Sequence, residues 1–273
     1  MNIAIIGCGY VGSAMARFWQ TQGFNLTATT TTPDKLESLA SMAQTVKLVR
    51  GDDAESLKAT LQGQEVVLLS VGAKNANSYA ETYLQTAQTL ADVLPQVPTV
   101  RQVIYTGSYA VYGDRQGAEV TETTPVAPVN SNGEILVQTE QTLLNAATDT
   151  LNICILRLGG IYGPGRELVK IWGRVAGTTR PGDGSDITNW VHLDDIVGAI
   201  EFARANPLNG IYNLVDDAHL PQAELLSQVY QTHNLPPVQW DASQKSSRPY
   251  NAKVSNQKIK EAGYQLLHPQ MQF

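Results

Sequence analysis

The sequence predicts an α/β fold, a doubly wound parallel sheet with a small C-terminal capping region. Three observations predict it. Short runs rich in apolar and β-branched residues alternate with amphipathic helical segments through about the first two thirds of the chain, the pattern of βαβ units. The first run ends directly in Gly7-Cys8-Gly9-Tyr10-Val11-Gly12, and an amphipathic helix opens from that loop. A length of 273 residues is sufficient for one large α/β core and lies near the size at which a single core stops growing.

In chain order, strands are expected at Asn2 to Ile6, Phe24 to Thr29, Val46 to Val49, Val66 to Val71, Val103 to Thr106, Ile153 to Leu158 and Ile211 to Val215. The first helix is expected over Val11 to Gln22, with Val11, Ala14, Met15 and Phe18 on one face and Gly23 as a left-handed stop. A second opens at Thr32-Pro33-Asp34, an N-cap followed by proline at the first helical position. Further helices are expected from about Ser78 to Leu94, from Asn132 to Ala147, from Asp194-Asp195 to Asn206-Pro207, and from Pro221 to Thr232. The stretch from Gly159 to Asn189 has weak periodicity and reads as loops with one short helix around Leu168 to Val175. Leu235-Pro236-Pro237 breaks the pattern, and the tail reads as a small cap with a final helix around Ser255 to Ala262. No linker divides the chain, so residues 1–273 are expected to form one domain with substrate-side elements at about 159–190 and 216–273.

Composition narrows the function classes. The net charge is −6 and no block of Lys or Arg stands out, so the long-range field repels phosphate backbones and anionic lipid; neither nucleic acid nor membrane is an expected partner. Cys8 and Cys154 lie in apolar stretches where thiols behave as small hydrophobes, and the first residues lack the basic region and long apolar run of a secretory signal; a reducing, cytoplasmic setting is the expectation. His192, His219, His233 and His268 show no metal-ligand spacing, so no metal is expected.

The glycine loop carries the chemistry. Gly7 permits a tight turn, Gly9 lets the backbone approach a pyrophosphate, and Gly12 lets the helix pack closely on the strand, while the helix N-terminus presents N–H groups and a positive dipole end. With Tyr10 and Val11 the loop reads as the pyrophosphate seat of a nicotinamide dinucleotide on a Rossmann-type sheet. At the end of the second strand, Thr30-Thr31-Thr32 with Lys35 can receive a 2′-phosphate, where an acidic residue would chelate a free ribose diol; NADP is therefore favoured over NAD. Asp52 reads either as a partner for the adenine amino group or as a solvated turn, and Val71-Gly72-Ala73 are expected beside the cofactor ribose.

Several segments together resemble the extended short-chain dehydrogenase/reductase superfamily, in its NAD-dependent epimerase/dehydratase branch, over nearly the whole chain. These are the run from Val103 to Gly113 with its Ser108 and Val111-Tyr112-Gly113, the acidic loop Glu119 to Pro125, and the run from Arg157 to Gly165 with Tyr162-Gly163-Pro164-Gly165. Trp190 to Ile196 with its His192 and Asp194-Asp195, and Ile211-Tyr212-Asn213-Leu214, complete the set. The resemblance implies hydride chemistry by a serine, a tyrosine acid/base, and a lysine one helical turn later that lowers the tyrosine pKa. Ser108 matches the serine. With Glu140 taken as the acidic residue usual later in that helix, Asn132 falls where tyrosine belongs and Leu136 where lysine belongs. Asparagine has no proton to exchange near neutral pH, and leucine shifts no pKa. The chain thus resembles the atypical members that lack the customary Tyr and Lys.

Tyr79, Tyr109, Tyr112 and Tyr162 are the available stand-ins; Tyr112 and Tyr162 read as packing residues, and Tyr109, next to Ser108, as the better donor. Arg157 reads as a loop anchor. Arg166 reads equally as an anion contact or a solvated arginine, and Asn132 as a substrate contact. The expected function is an NADP(H)-binding oxidoreductase or epimerase-like enzyme for a small carbonyl, alcohol or sugar-nucleotide substrate in the cleft above Ser108 and Asn132. The alternative is a non-catalytic NADP(H) sensor or interaction protein. The resemblance suggests dimerisation through helices beside position 132, for which the sequence offers no interface signal.

Overall fold

A computed structural model describes residues 1–273. Five strands set the frame: β1 (Asn2–Ile6), β2 (Asn25–Thr30), β3 (Thr45–Leu48), β4 (Val66–Leu69) and β5 (Gln102–Ser108). With Asn152–Leu158 and Gly210–Leu214 they form a seven-stranded sheet, ordered from the Gly210–Leu214 edge through Asn152–Leu158, β5, β4, β1 and β2 to β3. The pairs β1 with β2, β1 with β4, β2 with β3 and β4 with β5 all run parallel. The chain moves outward from β1 to β3 and then returns to the other side of β1 to lay down β4. That reversal makes a topological switch point between β1 and β4, where the loops leaving the two strands diverge. This is the Rossmann-type α/β sheet that the alternating pattern predicts.

The residues divide into two compact units, one comprising 1–108, 130–157 and 197–211, the other 109–129, 158–196 and 212–273. The expected substrate-side stretches, 159–190 and 216–273, both fall in the second.

In the first unit, α1 (Tyr10–Thr21), α2 (Leu36–Ala40), α3 (Ala54–Leu61), α4 (Thr86–Val93) and α5 (Ser131–Asn145) connect the strands. Successive residues of a strand point to opposite faces. On one face Ala4 and Ile6 of β1 join Val67, Leu69, Val103 and Tyr105 against Leu57, Leu61, Leu90 and Leu143 from α3, α4 and α5. Ile3 and Ile5 are equally buried, so the sheet is covered on both sides, as parallel sheets are.

The buried stripe of α1 differs from the expected one. Val11, Met15 and Trp19 lie fully inside with Gly12 and Ala16, while Ala14 and Phe18 sit half-buried at its margin. The large indole decides the rotation, because inside it both fills space and donates its N–H to Glu201 Oε2 at 2.8 Å. Gly23 closes the helix at φ +73°, and the N–H groups of Gly23 and Phe24 bond back to the carbonyls of Gln20 and Trp19 in a Schellman arrangement.

Other boundaries move as well. Thr32 stands at an N-cap with extended backbone, but its side chain makes no capping bond; Pro33 opens a single 3₁₀ turn before α2. Helix α3, which periodicity left without bounds, is capped by Asp53, whose carboxylate accepts from the Ser56 N–H at 3.0 Å. The continuous helix expected over Ser78 to Leu94 is instead a 3₁₀ turn at Ala76–Ser78, a π-helical stretch at Ala80–Gln85, α4, and a closing 3₁₀ turn at Leu94–Gln96 that contains Pro95. Strand β4 ends at Leu69 rather than Val71, and Asn130 caps α5 by accepting from the Gly133 N–H at 2.9 Å.

The second unit holds three two-stranded parallel pairs that sequence periodicity did not reveal: Gly160–Tyr162 with Trp190–His192, Thr179–Pro181 with Gln239–Asp241, and Glu119–Val120 with Lys253–Val254. Strands of two or three residues carry too little alternation to be read. Its core gathers Tyr162, Leu168, Trp190, Leu225, Leu226, Val229, Tyr230 and Met271. Asp195, 1% exposed, anchors the tail: its carboxylate accepts from the N–H groups of Leu267 (2.6 Å) and His268 (3.0 Å), and from the Tyr264 hydroxyl at 3.2 Å.

Candidate functional site

The glycine loop is built by steric necessity at two positions and by openness at a third. Gly7 has φ +94°, and a Cβ there would lie 2.6 Å from the Ser70 carbonyl oxygen, on the loop that leaves β4. At Gly12 a Cβ would stand 2.3 Å from the Gly7 carbonyl oxygen, so α1 can lie this close to the strand only with glycine. Around Gly9, by contrast, a Cβ would meet no atom within 4 Å. Gly9 is the N-cap, offers no side chain to the first turn, and no acidic residue follows in that turn. An open backbone face at an unneutralised helix N-terminus is the shape and charge a pyrophosphate needs, so Gly7, Gly9, Tyr10, Val11 and Gly12 fit the group expected of them. The Gly7 N–H donates to Thr29 Oγ1 at 3.1 Å and the Cys8 N–H to the Thr29 carbonyl at 2.9 Å, which ties the loop to β2.

At the end of β2, Thr30 is buried and its hydroxyl accepts from the Thr32 N–H at 3.1 Å, while Thr31 is exposed. Burial pushes the Cys8 thiol up to about 12, with the Thr29 backbone and the Lys35 charge acting in the opposite sense. Asp52 is engaged by Arg50 through two bonds of 3.0 and 2.9 Å, and Arg50 also pairs with Glu81 at 2.6 Å. Of this trio only Asp52 was singled out in the sequence; Arg50 and Glu81 were not.

Val71, Gly72 and Ala73 lie in the coil beyond β4. The Ala73 N–H donates to the Tyr83 hydroxyl at 3.4 Å, and the Tyr83 ring stands 5.1 Å from that of Tyr79. Tyr83 was missed; the spacing of four between Tyr79 and Tyr83 was its available signal. Nearby, Thr106 Oγ1 bonds Ser70 Oγ at 3.2 Å, linking the ends of β4 and β5. Ser108 is the last residue of β5 and half-buried. Asn132 is half-buried in the first turn of α5, and Leu136, one turn on, is 7% exposed. Glu140 follows on the same helix and holds Arg157 in a buried bidentate pair at 2.7 to 3.1 Å, with burial raising the carboxyl pKa against the arginine's pull. Arg157 is thus an anchor between α5 and the sheet.

Tyr109 and Arg166 belong to the second unit. Burial pushes the Tyr109 phenol up to about 12; Arg248, Asn189 and the edge-on ring of Tyr250 surround it. A phenol so raised holds its proton at neutral pH and can donate a hydrogen bond, but is a poor base. Arg166 lies on an exposed turn closed by its N–H to the Gly163 carbonyl at 2.8 Å. The Tyr112 hydroxyl donates to Asn213 Oδ1 at 2.7 Å, and the Tyr162 hydroxyl accepts from the Gln272 N–H at 3.3 Å, so both rings act as packed structural members.

A glycine loop at the switch point of a parallel sheet, with a serine at the end of a neighbouring strand, defines the class: a Rossmann-type α/β protein of the dinucleotide-binding kind. The chain belongs to the NAD-dependent epimerase/dehydratase family, whose model matches residues 3–214. It is 33% identical over 255 residues to the protein YeeZ of Escherichia coli K12, covering 90% of this chain and 89% of that protein. A conserved protein of unknown function from Silicibacter pomeroyi superposes with a TM-score of 0.79 at 27% identity, over 98% of this chain and 94% of the other. The human epimerase family protein SDR39U1, solved with NADPH, gives a TM-score of 0.79 at 18% identity, over 99% of this chain and 96% of its own, a likeness of fold. No helix is long and apolar enough to cross a membrane.

Proposed function

We propose that the chain is an NADP(H)-binding oxidoreductase or epimerase-like enzyme that acts on a small carbonyl, alcohol or sugar-nucleotide substrate without the family's customary tyrosine and lysine. The observation that carries the proposal is the contrast within the glycine loop: Gly7 and Gly12 are closed by backbone at 2.6 and 2.3 Å, while the face of Gly9 is open. Such a loop leaves the Gly9 backbone open to a close-approaching anion at the helix N-terminus. Bound there, the nicotinamide would give or take a hydride. The 2′-phosphate would be received by Thr30, Thr31, Thr32 and Lys35, a reading supported by their place at the end of β2 with no acidic side chain among them.

Ser108 would donate to the substrate oxygen. Asn132 can hold a substrate by hydrogen bonds but cannot exchange a proton, and buried Leu136 cannot hold a ribose hydroxyl. Proton transfer falls to another hydroxyl, Tyr109 being the donor next to Ser108 in sequence. The same two positions favour a second reading, a sensor that binds NADP(H) without turnover. One experiment separates them: cofactor turnover at saturating NADPH or NADP across sugar-nucleotide, aldehyde and secondary-alcohol panels. Oxidation or reduction of the cofactor with any substrate supports the enzyme. Binding without turnover across all three panels supports the sensor, and no dinucleotide binding refutes both.

A further inference from the structure

His192, Asp194 and His268 come together at the start of the Leu193–Ala205 helix, with one potential ligand atom from each lying within 4.8 Å of the others. Asp194 Oδ2 stands 3.5 Å from His192 Nδ1 and 3.3 Å from His268 Nε2. In a tetrahedral zinc site with bonds of about 2.0–2.2 Å, neighbouring ligand atoms are about 3.3 Å apart, so two edges of the site already have the required length. We propose that these three side chains bind a divalent transition-metal ion of the zinc, cobalt or nickel type, which pins the C-terminal tail to the start of that helix.

The proton inventory supports a cation here. His192 Nδ1 accepts from the Asp194 N–H at 3.2 Å, so its lone pair, not a proton, is on that side. Asp194 Oδ2 stands 3.5 Å away on the same side, so an ion between the two would take the Nδ1 lone pair in place of the Asp194 N–H. On the other imidazole, Nδ1 lies 2.9 Å from the Gln272 side-chain amide. An amide turned to present its oxygen would accept the Nδ1–H and leave Nε2 bare for the metal, the usual outer-shell support of a ligating histidine. The imidazole rings stand 3.9 Å apart and must spread to share one ion; His268 is on the tail and free of any helix or strand, so the adjustment falls there.

Two imidazoles and one carboxylate select borderline metals over magnesium or calcium, which require oxygen donors. The side chain of Asp194 is 55% exposed, which leaves an approach for the ion and for a water as fourth ligand. The structural effect follows from the tail's other ties. The backbone of Leu267 and His268 already bonds Asp195, the Pro269 carbonyl accepts from the Asp217 N–H at 2.8 Å, and Gln272 already bonds Tyr162, so an ion on His268 adds a side-chain fastening to these ties of residues 267–273. The proposal is independent of the cofactor reading.

The test uses the full chain, stripped with chelator and titrated with zinc chloride and cobalt chloride, with magnesium chloride as control. One saturable zinc site per chain is expected, with a cobalt absorption spectrum of low coordination number and slower release of the C-terminal residues by carboxypeptidase in the presence of zinc. His268→Gln should weaken zinc binding at least tenfold and abolish the protection without shifting the metal-free melting temperature. Asp194→Asn is the second variant, should His268→Gln fail to fold, and should weaken binding by a similar factor. His233→Gln, on an exposed histidine outside the cluster, should change nothing. The proposal is overturned if the parent shows no saturable zinc binding, if cobalt keeps its octahedral aqua spectrum, or if folded His268→Gln or Asp194→Asn binds zinc as the parent does.

Discussion

Substituting alanine at Gly9 and at Gly12 separates folding from cofactor binding within one loop. A Cβ at Gly9 meets no protein atom within 4 Å and the residue has φ −83°, so Gly9→Ala should leave stability within about 0.5 kcal/mol of the parent. The same methyl occupies the space through which phosphate oxygens would reach the backbone. Losing one or two charge-assisted hydrogen bonds costs about 1.5–3 kcal/mol each. At about 1.4 kcal/mol per decade, dinucleotide affinity should fall by roughly 10- to 100-fold or more. Gly12→Ala places its methyl 2.3 Å from the Gly7 carbonyl oxygen, a backbone atom with nowhere to go. It should cost about 1–3 kcal/mol of stability as well as binding, as overpacking does. Thermal unfolding without ligand and calorimetric titration with NADPH and NADP measure both quantities. Unchanged affinity in Gly9→Ala would refute the assignment of the open face, and a Gly12→Ala variant as stable as the parent would refute the steric argument.

The parent should bind NADPH more tightly than NADH, and Thr30→Asp should reverse that order by setting a carboxylate against the 2′-phosphate; equal affinities in the parent by calorimetry would end the NADP reading. Ser108→Ala should lower kcat on an identified substrate by about 100-fold or more with NADP(H) affinity unchanged, and unaltered turnover would remove the serine from the mechanism. Asp216, 1% exposed with Oδ2 unpartnered, is raised by burial to about 7. The folded chain therefore holds this proton where the unfolded chain has lost it, and stability should fall as pH rises from about 4 through about 7. A shift of about 3 units at about 1.4 kcal/mol each caps the effect at about 4 kcal/mol. Asp216→Asn should flatten that slope in denaturant titrations from pH 4 to 8 and stabilise the protein at pH 8; an unchanged slope would show that Asp216 ionises normally.

What the sequence determined by itself was local. The five strands β1 to β5, the glycine loop and the Gly23 stop were legible because alternation, a positive φ and close backbone approach restrict residue type within a few positions. The placing of Asn132, Leu136 and Glu140 along one helix was legible for the same reason, and α5 carries all three. The tertiary structure alone decided which distant groups meet. Trp19 turns α1 inward because Glu201 waits 182 positions later in the chain, Tyr83 reaches Ala73 through a π-helical stretch that periodicity reads as ordinary helix, and Asp53 starts a helix hidden in a polar segment. The histidine spacing pointed to no metal because ligand motifs are read over a few residues, whereas Asp194 and His268 are 74 apart. They meet because Asp195 captures the backbone of Leu267 and His268, a burial and hydrogen-bonding event that no short window of sequence contains.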